Sequence, residues 1–280
     1  MRWNDKSVYR TLRLVTKVSD LFNQFRTDVE QGQPVALATI ITGEGQGSKM
    51  LLLADGSTMG SLGNETLNRV LSRDMAGELA AGRTSIRHYG LLGEAREEAL
   101  SIFIESFAPP PQMFIFGAVD FTAALVKIAK VLGYKVVVCD ARSVFATKER
   151  FPKADTVENA WPDELLKKHG ETLGPRDAVC VLTHDNKFDV PAITAALKTR
   201  VGYIGVMGSR RTHQNRMERL IEAGIQDDDF KRIMSPIGLD LGARTPEETA
   251  ISICGEIIAM RTGREAPHLK LGSGPIHGDY

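Results

Sequence analysis

Three consecutive prolines, Pro109-Pro110-Pro111, interrupt this 280-residue sequence and separate two kinds of patterning. Each proline ring removes an N–H and fixes φ, so the triplet continues neither a helix nor a central strand. It marks a domain boundary. Beyond it, short apolar runs alternate with amphipathic segments. Gln112 to Phe116, Lys135 to Cys139, Ala178 to Leu182 and Gly202 to Val206 read as strands. Asp120 to Leu132, Val190 to Leu197 and Arg210 to Ala223 read as helices. This alternation implies right-handed βαβ crossovers and a parallel sheet covered on both faces. The last helix carries its own boundaries: Thr245 as N-cap, Pro246 as first helical residue, Glu248 completing a capping box and Gly263 as the stop.

The expected fold class is therefore α/β, a C-terminal Rossmann-like parallel-sheet domain preceded by a smaller α/β domain. The boundaries are 1–108 for the first domain, 109–111 for the proline linker, 112–263 for the Rossmann-like domain and 264–280 for a Gly/Pro-rich mobile tail. In the first domain, Val8, Leu12, Val15, Val18, Leu21, Phe22, Phe25 and Val29 predict an amphipathic helix over the first thirty residues. The runs PVALATII and KMLLLA, a short run ending at Gly60-Ser61, then Thr84 to Tyr89 and Leu100 to Ala108 predict a small hairpin-rich sheet. A helix is expected over Asn64 to Ala81.

Charge and cysteine usage narrow the function classes. Lys+Arg and Asp+Glu balance at 35 each, which gives no basic face for nucleic acid or an anionic membrane. No apolar run of about 18 residues is present, and the polar N-terminus lacks a signal-peptide core, so a cytoplasmic protein is expected. Cys139, Cys180 and Cys254 each lie in an apolar segment and read as buried thiols. Without a CxxC pair, no zinc site of the usual kind is expected.

Ligands of an open parallel sheet bind outside the carboxyl ends of its strands. The segments there are polar: Gly117-Ala118-Val119-Asp120-Phe121-Thr122, Asp140-Ala141-Arg142, Thr183-His184-Asp185 and Met207-Gly208-Ser209-Arg210-Arg211. The first stands where a G-x-G-x-x-G fingerprint would be, but Val119 replaces its second glycine and obstructs the approach of a pyrophosphate. NAD(P) is disfavoured on that ground. Asp140, 23 residues beyond Gly117, stands where an acid would bind a ribose hydroxyl. Ser209 as N-cap with Arg210 and Arg211 beside free N–H groups suits a phosphate, and solvated helix-start arginines are the alternative. His184 is a candidate proton carrier or ligand contact, or a structural histidine. Capping and the helix dipole account for Glu247 and Glu248, and His213 reads as a helix-surface residue. The glycine-dense run Gly238 to Arg244 is either a ligand loop or a tight connection.

Taken in order, several segments resemble the XdhC/CoxI family, the accessory proteins for xanthine dehydrogenase and carbon monoxide dehydrogenase. They are Gly32 to Thr39, Phe116-Gly117-Ala118, Arg150-Phe151-Pro152, Thr183-His184-Asp185, Tyr203-Ile204-Gly205 with Gly208 to Thr212, and Pro236 to Asp240 with Gly242 to Glu248. The resemblance implies a non-catalytic maturation factor that binds molybdenum cofactor, as the pterin or its dinucleotide form. It also implies help in exchanging an oxo ligand for sulfur with a cysteine desulfurase, and delivery of the product to a subunit of a molybdenum hydroxylase. Whether the chain forms a homodimer is left open. The strand-end reading makes Gly117, Asp140, Arg142, Thr183, His184, Asp185, Gly208, Ser209, Arg210 and Arg211 the expected cofactor-binding residues, and no catalytic residue or metal ligand is expected. Two segments depart from the family. Gly60 to Leu67 lacks the cysteine of G-S-V-S-G-G-C-V-E, and Phe116-Gly117-Ala118-Val119-Asp120 replaces F-G-A-G-H. The alternatives are an NAD(P)-dependent oxidoreductase and a ligand-free protein-interaction module.

Overall fold

The structure, a computed structural model, describes residues 19–95, 97–183 and 185–271. The chain divides into two compact units, the first ending at Pro109 and the second beginning at Pro110. In the first unit, helix α1 runs from the start of the described residues to residue 30; the earlier part of the helix expected from the sequence lies outside them. Strands β1 (Val35–Thr42), β2 (Lys49–Leu52), β3 (Thr58–Ser61), β4 (Ser85–Tyr89) and β5 (Leu100–Phe107) form an antiparallel sheet in the order β3-β2-β1-β5-β4. Side chains alternate across it. Ala36, Ala38, Ile40, Met50 and Leu52 bury against helix α2 (Glu65–Ala81), while Val35, Leu37 and Leu51 bury with Leu21 and Phe25 of α1. Asn64 caps α2, accepting from the N–H groups of Thr66 and Leu67 at 2.8 and 3.2 Å.

The second unit is a six-stranded, wholly parallel sheet. Its strands are β6 (Gln112–Phe116), β7 (Lys135–Cys139), β8 (Thr156–Glu158), β9 (Ala178–Val181), β10 (Tyr203–Val206) and β11 (Ile233–Met234), in the order β11-β10-β9-β6-β7-β8. Counted from β6 this is the 3-2-1-4-5-6 order of dinucleotide-binding sheets. Helices α3 (Asp120–Val131) and α8 (Pro246–Thr262) cover one face, burying Leu125, Ala129, Ile253 and Cys254 against Ile115, Val138 and Cys180. Helices α4 (Pro162–His169), α5 (Asn186–Leu197) and α6 (Arg210–Glu222) cover the other, with Leu166, Ile193 and Leu220 against Phe116, Val179 and Val181.

Four elements go beyond the sequence expectations. Strands β8 and β11 are edge strands of three and two residues, too short to carry an apolar run, and α4 presents only Leu165 and Leu166 after its Pro162. Helix α5 starts at Asn186, ahead of the expected Val190, because Asp185 caps it and Pro191 is accommodated inside. A further short helix, α7 (Asp227–Phe230), precedes β11. The Gly238 segment is a tight connection: its N–H donates to Glu256 at 2.9 Å, and a Cβ there would meet Ser252 Oγ at 2.4 Å. Of the tail, 264–271 is described, is exposed and ends in a short 3-10 turn, Leu269–Leu271; the rest lies outside the described residues.

Candidate functional site

The strand order reverses between β6 and β9, and the chain leaves these two strands in opposite lateral directions. In open parallel sheets, ligands bind outside the carboxyl ends of the strands at such a switch point. Gly117 leaves β6 with φ 113°, a conformation that favours glycine, and a Cβ there would stand 2.7 Å from Thr183 Cγ2 and 3.1 Å from Thr183 N. The first and third turns are therefore in contact. From Thr183 a buried polar chain runs to the fourth turn. The Thr183 hydroxyl donates to Asp189 Oδ1, and Arg216 donates to Asp189 Oδ2 through Nη2 at 2.8 Å and Nε at 3.2 Å. Arg216 Nη2 also donates to the Met207 carbonyl at 2.9 Å, which sets the backbone leading into Gly208.

Asp140 ends β7 in the expected position, but its carboxylate is committed. Oδ2 accepts from the Ala118 N–H and from Arg142 Nη2, both at 2.8 Å; Oδ1 accepts from Arg142 N and Nε, both at 2.9 Å. Two bonds to each oxygen fill the acceptor capacity of a carboxylate. Burial alone would raise its pKa, but the Arg142 guanidinium and the Ala118 N–H outweigh it and hold Asp140 below the ordinary 3.8. Asp140 thus ties the second turn to the first. Val119 likewise has a packing role: its backbone is extended at φ −111°, and its side chain packs against the α3–α8 core.

The loop after Arg142 adds residues that strand-end reasoning missed. The Phe145 ring is contacted by both Arg142 and Arg150, with guanidinium carbons 4.6 and 5.4 Å from its centroid. Arg150 Nη1 donates to the carbonyls of Ala118 at 3.0 Å and Phe145 at 3.3 Å. The Arg150-Phe151-Pro152 segment was the one available signal. Trp161, at the start of α4, stacks on Phe188 of α5 with centroids 4.7 Å apart.

The other sequence candidates separate. Asp185 caps α5 through the Lys187 N–H at 3.0 Å, and its charge adds a small upward push to the Arg142 pKa, which the hydrogen-bonded Asp140 chiefly raises. Ser209 caps α6 through the Thr212 N–H at 3.1 Å. Arg210 and Arg211 are exposed on the first turn of α6 and make no hydrogen bond or ion pair with a described residue. His184 lies outside the described residues. A groove of about 720 Å³ opens between α4 and α5, lined by Leu166, Val190, Pro191 and Lys198 among others, but Lys198 to Arg200 lead into the amino end of β10, away from the carboxyl edge.

The chemistry on offer is binding by guanidinium and amide groups. Among the described residues no group of His, Cys, Asp and Glu stands together as a metal site. Burial pushes the Cys139 and Cys254 thiols up to about 12 and Cys180 well above its ordinary value, so none is a thiolate near neutrality. No helix among the described residues is long and apolar enough to cross a membrane.

These features define a two-unit α/β protein whose second unit is a doubly wound parallel sheet with its switch point between β6 and β9. The chain belongs to the XdhC and CoxI family. The sequence pattern of the XdhC Rossmann domain matches residues 113–257, and that of the XdhC and CoxI family matches residues 28–90. The chain is 34% identical over 165 residues to a probable xanthine dehydrogenase subunit of Bacillus subtilis (strain 168), spanning 59% of this chain and 47% of the relative. It is 27% identical over 253 residues to YqeB, an uncharacterized protein of Escherichia coli (strain K12), spanning 86% and 46%. It is 33% identical over 88 residues to PaoD, a molybdenum cofactor insertion chaperone of Escherichia coli (strain K12), spanning 31% and 28%. The matched segments span less than half the length of each of these relatives. A crystal structure described as a xanthine dehydrogenase from Bacillus halodurans matches with a TM-score of 0.51 at 23% identity, covering 87% of this chain and 96% of that chain; the likeness is one of fold.

Proposed function

We propose that this chain is a maturation factor for a molybdenum hydroxylase, binding molybdenum cofactor at the carboxyl edge of its parallel sheet and passing it on as cargo. The observation that carries this reading is the cluster of groups that follow the strand ends, with Gly117 close against Thr183 and the Arg142 and Arg150 guanidinium groups against one ring, that of Phe145. Fixed cations beside the strand ends suit a phosphate-bearing pterin or its dinucleotide form. The kinship with PaoD points the same way. In this reading a cysteine desulfurase supplies sulfur, and this chain holds the cofactor rather than carrying sulfur on its own buried thiols. The NAD(P) oxidoreductase reading is weaker, because Asp140 is already bound by Arg142 and Ala118.

The test is thermal stabilisation of the purified chain by molybdenum cofactor, NAD(H) and NADP(H) in separate titrations. A ligand that binds only the folded state adds about 2.7 kcal/mol at a hundredfold excess over its Kd. Stabilisation by the cofactor, followed by activation of an apo-hydroxylase, is the expected result. Stabilisation by a nicotinamide dinucleotide alone overturns the proposal.

A further inference from the structure

We propose that Arg142 and Arg150, gathered on the Phe145 ring, form an anion subsite for a phosphate or diphosphate ester, and that Asp120 competes with that ligand for Arg150. The inference rests on the cofactor-binding reading above and names where the phosphate end of the ligand goes.

The two guanidinium groups differ in how far they are neutralised. Arg142 spends Nε and one Nη2 hydrogen on Asp140, leaving Nη1 and the second Nη2 hydrogen uncommitted to any described residue. Arg150 is oriented by neutral acceptors, the Ala118 and Phe145 carbonyls, and by the rings of Phe145 and Phe151, each 5.4 Å away. Its carboxylate neighbour is Asp120, at 3.9 Å and 92% exposed, which is beyond hydrogen-bond distance. Arg150 is thus held in place with most of its charge unspent, and both side chains reach solvent. A planar guanidinium stacked on an aromatic face, with donors of its fork left open, suits phosphate oxygens. With both guanidinium carbons within 5.4 Å of the same ring centroid, the proposed ligand is a diphosphate that engages both.

Arg210 and Arg211 offer charge without this preparation, because no described group holds either one. An anion would have to immobilise both long side chains itself. Asp120, on the first turn of α3, is the carboxylate that an incoming phosphate displaces from the neighbourhood of Arg150. A screened, exposed partner is weak enough to yield.

The experiment is calorimetric titration of the full chain with pyrophosphate at constant ionic strength, and a parallel titration with molybdenum cofactor. Arg150→Ala and Phe145→Ala are each expected to weaken pyrophosphate binding about tenfold or more. Asp120→Asn is expected to strengthen it severalfold, a gain that misfolding cannot mimic. The double variant Arg210→Ala/Arg211→Ala is expected to change it less than threefold. No measurable pyrophosphate binding, unchanged binding in folded Arg150→Ala and Asp120→Asn, or a loss confined to the Arg210/Arg211 variant overturns the subsite. If the cofactor binds but is indifferent to Arg150, the subsite falls and the maturation reading stands. If pyrophosphate binds through Arg150 but the cofactor does not bind at all, the subsite stands and the maturation reading falls.

Discussion

Asp189 and Arg216 form an ion pair inside the second unit, 2.8 Å apart and each with only 1% of its side chain exposed, joining α5 to α6 behind the third and fourth turns. Such a pair gains little over a well-packed apolar pair, but removing one partner strands a charge in a low dielectric. Arg216→Met is therefore expected to cost about 3–5 kcal/mol in urea denaturation. Asp189→Leu combined with Arg216→Met is expected to recover only part of that, because the Thr183 hydroxyl and the Met207 carbonyl lose their partners. A single variant within about 1 kcal/mol of the parent would mean that the pair is solvated and does not brace the turns.

The contact between Gly117 and Thr183 predicts a second outcome. Alanine at 117 must adopt φ near 113° and place its Cβ 2.7 Å from Thr183 Cγ2. The backbone conformation alone costs about 1–3 kcal/mol, and the clash adds to it. Adding Thr183→Ser to Gly117→Ala removes the offending methyl while keeping the hydroxyl that serves Asp189. The double variant should regain the part of the loss due to the methyl in thermal denaturation, and leave the conformational part and the close approach to the Thr183 N and Leu182 carbonyl carbon. Equal stability of the single and double variants would show that the turns move apart.

Asp140 predicts a pH dependence. Its folded-state pKa lies below the unfolded value of 3.8, so its stabilising contribution is complete above that value. It is lost as pH falls through the folded pKa, because the unfolded chain then binds the proton more readily. Asp140→Asn is expected to cost about 1–3 kcal/mol at neutral pH. Its stability should also fall less steeply than the parent's as pH drops below about 4. The comparison of the two acid limbs isolates this residue from the other carboxylates, and parallel limbs would contradict the assignment.

The sheet was legible because β6, β7, β9 and β10 are apolar runs bounded by turn residues, while β8 and β11 are edge strands with too few residues to show a period. The strand ends then located Gly117, Asp140, Arg142 and Thr183 by topology alone. What the side chains do there was not legible. That Asp140 spends its oxygens on Arg142 and Ala118 depends on the rotamer of Arg142, which no spacing specifies. Arg150 sits in an irregular loop, and its place over Phe145 is set by tertiary packing. Asp189 and Arg216 stand 27 residues apart on different helices, joined only once α5 and α6 pack on the same face.

The three cysteines carry the last prediction. Cys139, Cys180 and Cys254 are buried and free, and burial holds all three thiols well above neutral pH. Reaction with an aromatic disulfide reagent needs both access and thiolate, so it must wait for local or global opening. In the native chain near neutral pH, labelling is expected to proceed only at the unfolding-limited rate, and all three thiols should react at once in denaturant. The same burial constrains sulfur transfer, since a persulfide on this chain would need one of these sulfur atoms to meet a donor's active site. Incubation with a cysteine desulfurase and cysteine should therefore leave the chain's mass unchanged. A mass increase of one sulfur atom, abolished by substituting a single cysteine, would show that the chain carries sulfur itself.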